Sequence, residues 1–449
     1  MKIEPSSYKD TDAFVYTENG EIYRKLSPNY LNTYEQFIKS GLYNELLNNH
    51  LIVEHQQISS DTIKPEKVFI SYPWEWCFQQ IKDAAIATLK IQKIALSYNM
   101  TLKDANCFNI QFKYNKPVLI DTSSFEIYVE GKPWVAYRQF CENFLAPLAL
   151  MSYVDNDMTS LFLSNINGIP LELTSKLLPI KTKLNFGLFM HIHMHAKMQK
   201  RCANNYKSIE NIKVSKQQQL FLIESLKDAI NSIKSPAMNS EWSKYYKNTN
   251  YSDAAFEEKI KIIDEYRKFV NPQRVLDLGA NTGVFSRIFS KNNAVVFSLD
   301  IDKMAVQQNY IQAKKEKDEN LIPLVFNLAS PSPSVGWCNK ERKTMDERLE
   351  NIDLTLALAL IHHLRITYNI PLKQIANYLS KVSKYLIIEF IDKQDSKVQQ
   401  MLKNRKDIFD DYTEQEFEDI FCKYYRILKK TTPQNTKRII YLMEVISEE

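Results

Sequence analysis

RVLDLGANTGVFSRIF, residues 274–289, decides how the C-terminal half of this chain is read. Val275, Leu276 and Leu278 form a short apolar run bounded by glycine, the pattern of a buried strand. Gly279 and Gly283 follow four residues apart, and the apolar spacing of VFSRIF then reads as a helix. Glycine is scarce, eight in 449 residues, so two in one turn mark a backbone that needs unusual freedom or close approach. A glycine turn at the carboxyl end of a buried strand is where open α/β sheets bind nucleotides. The spacing is D-x-G-x-x-x-G, and the first Gly-x-Gly of the dinucleotide fingerprint is absent.

The same rhythm runs outward. Strand-like AVVFSLD (294–300), IPLVFN (322–327), DLTLALAL (353–360) and YLIIEF (385–390) alternate with helical stretches, and a long polar loop precedes the fourth strand. Two strands near 423–432 and 438–445 close the chain. This alternation predicts a doubly wound, mostly parallel α/β sheet ended by an antiparallel hairpin. The second strand ends at Asp300, about where an acidic residue binds a ribose through two hydroxyl protons. Asp302 reads as a cap on the next helix. The third strand ends at Asn327, and the fourth leads into His362 and His363.

This ordered set resembles class I S-adenosylmethionine (SAM)-dependent methyltransferases, whose Rossmann-like sheet has seven strands. The resemblance implies that Asp277 holds the amino group of the methionine part. The backbone of Gly279, Ala280, Asn281 and Gly283 would face the same moiety, Asp300 would grip the ribose, and the Asn327 carbonyl would read the adenine amino group. His362 or His363 either serves as general base or only shapes the acceptor pocket. More widely, the chain resembles a bacterial family of nodulation-associated methyltransferases. The likeness is carried by SGLYNELL (40–47), SYPWEW (71–76), LKDANCFNIQF (102–112), WVAYRQFCENFLAPLAL (134–150), NLASPSPSVGW (327–337) and LALALIHHL (356–364).

The N-terminal half reads as α+β. A hairpin spans 13–26, a helix 30–49, strands lie near 51–58 and 67–72, a helix runs from Trp76 to Tyr98, strands follow at 109–113 and 117–121, and 134–235 is mostly helical. Asp104 and Asn109 stand five apart, and Asp121 ends the VLID strand. This D-x-x-x-x-N … I-D layout resembles the kinase and aminoglycoside-phosphotransferase fold. It implies Asp104 as catalytic carboxylate, with Asn109 and Asp121 holding Mg-ATP. Arg24 and Lys25 ahead of Glu35 follow the order of the phosphate-contacting lysine and its partner. Only Gly20 stands where a glycine-rich loop would be, and Leu102 replaces the expected histidine.

The expected domains are therefore 1–235, a linker at 236–251, and a methyltransferase at 252–449. Trp242, Tyr245, Tyr246 and Tyr251 either cover the cofactor or pack the junction. His191, His193 and His195 share a predicted helix, but no Glu or third ligand accompanies them, so packing is the expectation and no metal site is assigned. A net charge of +5 without a basic block gives no strong nucleic-acid signal, and no NPPY or DPPY run follows the fourth strand. Six scattered cysteines, a polar N-terminus and the lack of a membrane-spanning run lead to a cytoplasmic expectation. The expected reaction is methyl transfer to an oxygen or nitrogen of a small-molecule or saccharide acceptor. The alternatives are a bifunctional kinase-methyltransferase and a non-catalytic binding or scaffold protein. The sequence does not give the oligomeric state.

Overall fold

The computed structural model describes residues 1–202, 213–236, 253–403 and 406–446. The linker expected at 236–251 (beyond Pro236) and its Trp242, Tyr245, Tyr246 and Tyr251 lie outside the described residues. The chain divides into two compact units, Met1–Ala237 with Pro333–Lys343, and Met238–Ser332 with Thr344–Glu449.

In the first unit, β1 (Lys2–Ile3), β2 (Ala13–Glu18), β3 (Glu21–Leu26), β4 (His55–Gln57) and β5 (Thr62–Pro65) form an antiparallel sheet ordered β1-β2-β3-β5-β4. The β2–β3 turn is made by Asn19 and Gly20, both at positive φ (53° and 79°), as a two-residue hairpin requires. The helix expected over 30–49 is two helices, Leu31–Lys39 and Leu42–Asn48, because Gly41 (φ 86°) turns the chain between them. The expected strand near 67–72 has no ladder. Side chains satisfy it instead: the Ser71 N–H and hydroxyl both donate to Gln111 Oε1 (2.7 and 3.0 Å), and Trp76 Nε1 donates to Ser71 Oγ at 2.8 Å.

The helix Phe78–Ser97 is largely buried. After it come β6 (Met100–Leu102), β7 (Ile110–Lys113), β8 (Lys116–Leu119) and β9 (Phe125–Ile127), paired as β6–β9 and β7–β8. The polar loop expected to belong wholly to the C-terminal domain departs from that reading, since Pro333–Lys343 packs within the first unit. There Glu341 is buried and accepts from Lys9 at 3.1 Å. The Arg342 guanidinium lies 4.4 Å from the Phe108 ring centre, and the Lys343 N–H donates to the Tyr72 hydroxyl at 3.0 Å.

The second unit is a seven-stranded sheet of β10 (Arg274–Leu278), β11 (Val295–Asp300), β12 (Leu321–Val325), β13 (Ile352–Ala357), β14 (Ser383–Ile391), β15 (Tyr425–Thr431) and β16 (Arg438–Val445). Its order is β12-β11-β10-β13-β14-β16-β15. Neighbours from β12 through β14 are parallel, while β16 runs antiparallel to both β14 and β15. Val275, Val296, Leu354, Leu356, Ile387, Ile440 and Leu442 build the core with Ile262, Ile263 and Tyr266 of the helix Asp253–Val270. Strand order reverses between β10 and β13, so a crevice opens at their carboxyl ends. No described helix is long and apolar enough to cross a membrane.

Candidate active site

At that reversal point lies a cavity of about 700 Å³. Asp277, Gly279, Ala280 and Asn281 line it from β10 and its turn, Asp300 from β11, Asn327 after β12, and His362 and His363 after β13. Gly279 takes φ 75° and its N–H donates to the Leu299 carbonyl at 2.9 Å, tying the turn to the neighbouring strand. Gly283 does not line the cavity. A side chain there would meet Asn309 Oδ1 at 2.3 Å, so this glycine is required by turn-to-helix packing rather than ligand approach. Asn281 (φ 51°) and Ala359 (φ 50°) also take left-handed backbone beside the cavity, a cost that functional sites commonly carry.

Two buried carboxylates line this cavity, Asp277 and Asp300. Asp277 is buried and accepts from the Ser286 hydroxyl at 2.6 Å; burial first, and then the charge of Asp300, push it up to about 7. Asp300 accepts from the backbone N–H groups of Asn281 (2.7 Å) and Asp302 (2.8 Å), joining the two turns, and burial pushes it up to about 6. Asp302 caps the helix Lys303–Glu316, accepting from Met304 and Ala305, as the sequence suggests. The Asn327 carbonyl already accepts from Ala329 and Ser330 at 3.0 and 3.2 Å. These two bonds hold the Asn327 side chain in place on the cavity wall.

His362 is buried, and its Nδ1 has no hydrogen-bond partner among the described residues. Burial, then the charges of His363, Arg438 and Lys259, hold it well below the ordinary imidazole range. Burial pushes His363 down to about 4. Both rings are thus neutral near pH 7. The sequence reading missed a charged cluster at the same cavity. Lys259, which lines it, is 3% exposed and donates to Glu389 Oε2 at 2.6 Å; Glu389 faces Arg438 at 3.7 Å, and Arg438 donates to Asp395 at 3.0 Å. No local pattern announces these contacts, because Lys259 and Glu389 are 130 residues apart.

In the first unit, Asn109, Asp121 and the backbone of Asp104 gather on the 121–124 turn. Asn109 Nδ2 lies 3.5 Å from Asp121 Oδ2 and 3.3 Å from Ser124 Oγ, and the Asp104 N–H reaches the Ser124 carbonyl at 3.4 Å. The Asp104 carboxylate accepts from Gln139 (2.7 Å) and the Asn106 N–H (3.0 Å). Asp121 is ion-paired to the buried Arg24 and accepts from Ser123 N–H (2.9 Å) and Ser124 Oγ (2.8 Å). Glu35 corrects the expected pairing: it is exposed and partners Lys39, while Lys25 faces Asp61 at 3.5 Å. His191 and His193 are held by hydroxyls of Tyr137, Ser225, Ser175 and Thr182, and His195 stacks on Tyr137. No three His, Cys, Asp or Glu side chains among the described residues gather as a metal site.

Numbered within the second unit, the sheet runs 3-2-1-4-5-7-6 with the seventh strand alone reversed, and it carries a glycine turn and an acid after strand two. That strand order, with its crevice, is the one expected of the class I SAM-dependent methyltransferase fold. The chain is 33% identical over 381 residues, 84% of its length, to nodulation protein NoeA of Rhizobium meliloti (strain 1021), of which it covers 80%. It belongs to the NoeA family of nodulation proteins. No protein-family model matches. Among solved structures, WbdD, a bifunctional kinase-methyltransferase, aligns at 20% identity and TM-score 0.32 over 43% of this chain and 41% of that one. The magnesium protoporphyrin IX methyltransferase of Synechocystis PCC 6803, bound to SAH, aligns at 14% identity and TM-score 0.33 over 46% and 93%. The chain thus spans about two-fifths of WbdD's length.

Proposed function

We propose that the protein transfers the SAM methyl group to an oxygen or nitrogen of a small-molecule or saccharide acceptor. The observation that carries this reading is the pair of buried carboxylates, Asp277 and Asp300, closing a cavity at the reversal point of the sheet. Burying two carboxylates is costly, and a ligand with an ammonium and a ribose would offset part of that cost. SAM would supply a methyl group already activated by its sulfonium. Asp277 would hold the ammonium, Asp300 the ribose hydroxyls, and Asn327 a ring nitrogen of the base through its amide donors. The protein's own task is then alignment and exclusion of water. His362 Nδ1, on a neutral ring and without a partner among the described residues, is the group suited to take the acceptor's proton. Incubation with methyl-labelled SAM and fractionated lysate tests the reading: label is expected in glycan or small-molecule fractions, and uptake confined to RNA would overturn it.

The order of elements in the first unit supports a kinase-like origin: a five-stranded sheet with helices inserted after β3, a buried helix, then the 104–109 and 121–124 turns. The residues present do not fit Mg-ATP chemistry as they stand, because the Arg24 guanidinium occupies the Asp121 carboxylate. We therefore assign this unit no phosphotransfer step. Calorimetry with Mg-ATP is expected to show no binding, whereas binding that Asp121→Ala abolishes would restore the bifunctional reading.

A further inference from the structure

We infer that Lys259, held by Glu389, is the binding site for the carboxylate of the cofactor's methionine end, an inference that rests on the SAM reading above. The amino-acid end of SAM is a zwitterion, so a site that buries it must meet its ammonium and its carboxylate separately. Asp277 supplies the anion. Among the described residues the lysines lining the cavity are Lys259 and Lys397, and of these Lys259 is the buried one, 3% exposed. It projects from the helix Asp253–Val270, whose Phe256 also lines the cavity, and its ammonium lies 4.7 Å from the centre of the Phe285 ring.

A tetrahedral ammonium carries three donors and can serve Glu389 and a ligand oxygen together. Glu389 is fully buried on β14, and Arg438 of β16 faces its other oxygen at 3.7 Å, so the lysine is aimed by a chain of charges anchored in the sheet. A purely structural ion pair is a weak explanation for this cluster. Burying Lys and Glu gains little over apolar residues of equal volume. A buried ion pair on the wall of a ligand cavity, close enough to Asp277 for their charges to interact, has a direct purpose if the ligand carries a carboxylate.

Calorimetry on the full-length protein tests this with two ligands: S-adenosylhomocysteine, and its decarboxylated analogue, which keeps the ammonium. The wild type is expected to prefer S-adenosylhomocysteine by about 10- to 100-fold, the worth of a hydrogen bond to a charged group. In Lys259→Met the two ligands are expected to bind within about threefold of each other, and Lys259→Arg should keep most of the preference. A wild type that does not discriminate, or a Lys259→Met variant that still does, overturns the assignment. The wild-type comparison stands even if Lys259→Met fails to fold, and a Lys259→Met/Glu389→Gln double variant removes the orphaned carboxylate. A wild type that binds neither ligand sinks the cofactor reading itself, a separate outcome.

Discussion

Asp277 shows how a single buried group ties cofactor binding to pH. Its carboxyl is pushed up to about 7, chiefly by burial. Below that pH it is protonated in the free protein, and a ligand ammonium can pair with it only after the proton leaves. Affinity for S-adenosylhomocysteine should therefore be full above pH 7 and fall by about tenfold per unit below it, until the bound-state value is reached. Asp277→Asn should flatten that profile in a calorimetric titration. Gly283 offers a stability counterpart. With φ 76° and Asn309 2.3 Å from any added Cβ, Gly283→Ala should cost about 1–3 kcal/mol, read as a lowered melting temperature. At this scale the sequence was informative where chemistry is local. Asp277, Gly279, Asp300, Asn327 and the His362–His363 pair all sit at strand ends, and the sheet brings strand ends together. Lys259 gave no such signal, because a lysine on an amphipathic helix reads as solvated until the strand carrying Glu389 is placed behind it.

Elements were legible to the extent that their signals were periodic or turn-based. The Asn19-Gly20 hairpin and the alternating strands of the second unit stand where their patterns put them. The helix broken at Gly41 and the irregular Ser71–Trp76 segment do not, since a left-handed glycine and a long-range Gln111 contact decided them. The kinase-like pairing failed for a similar reason. Glu35 points outward on its helix, leaving Arg24 of β3 to bond the 121–124 turn. That bond joins sheet and turn through a buried charge. Arg24→Met should destabilise the first unit by about 3–5 kcal/mol by stranding Asp121. Adding Asp121→Asn should recover part of the loss, and denaturant unfolding of both variants measures it.

For the molecule as a whole, composition and the change from mixed to alternating elements suggested two domains. The structure adds that the boundary is not one point in the chain. Pro333–Lys343 leaves the sheet unit and packs in the first unit, with Glu341 buried against Lys9. Nothing in a polar, proline-bearing loop distinguishes a solvated excursion from one that completes a distant core. A fragment of residues 1–236 should accordingly melt below the same fragment supplied with a 333–343 peptide. The consequence reaches to how the protein comes apart. A protease that nicks the backbone between residues 236 and 253 would yield two pieces that still elute together, because the second piece keeps a finger lodged in the first.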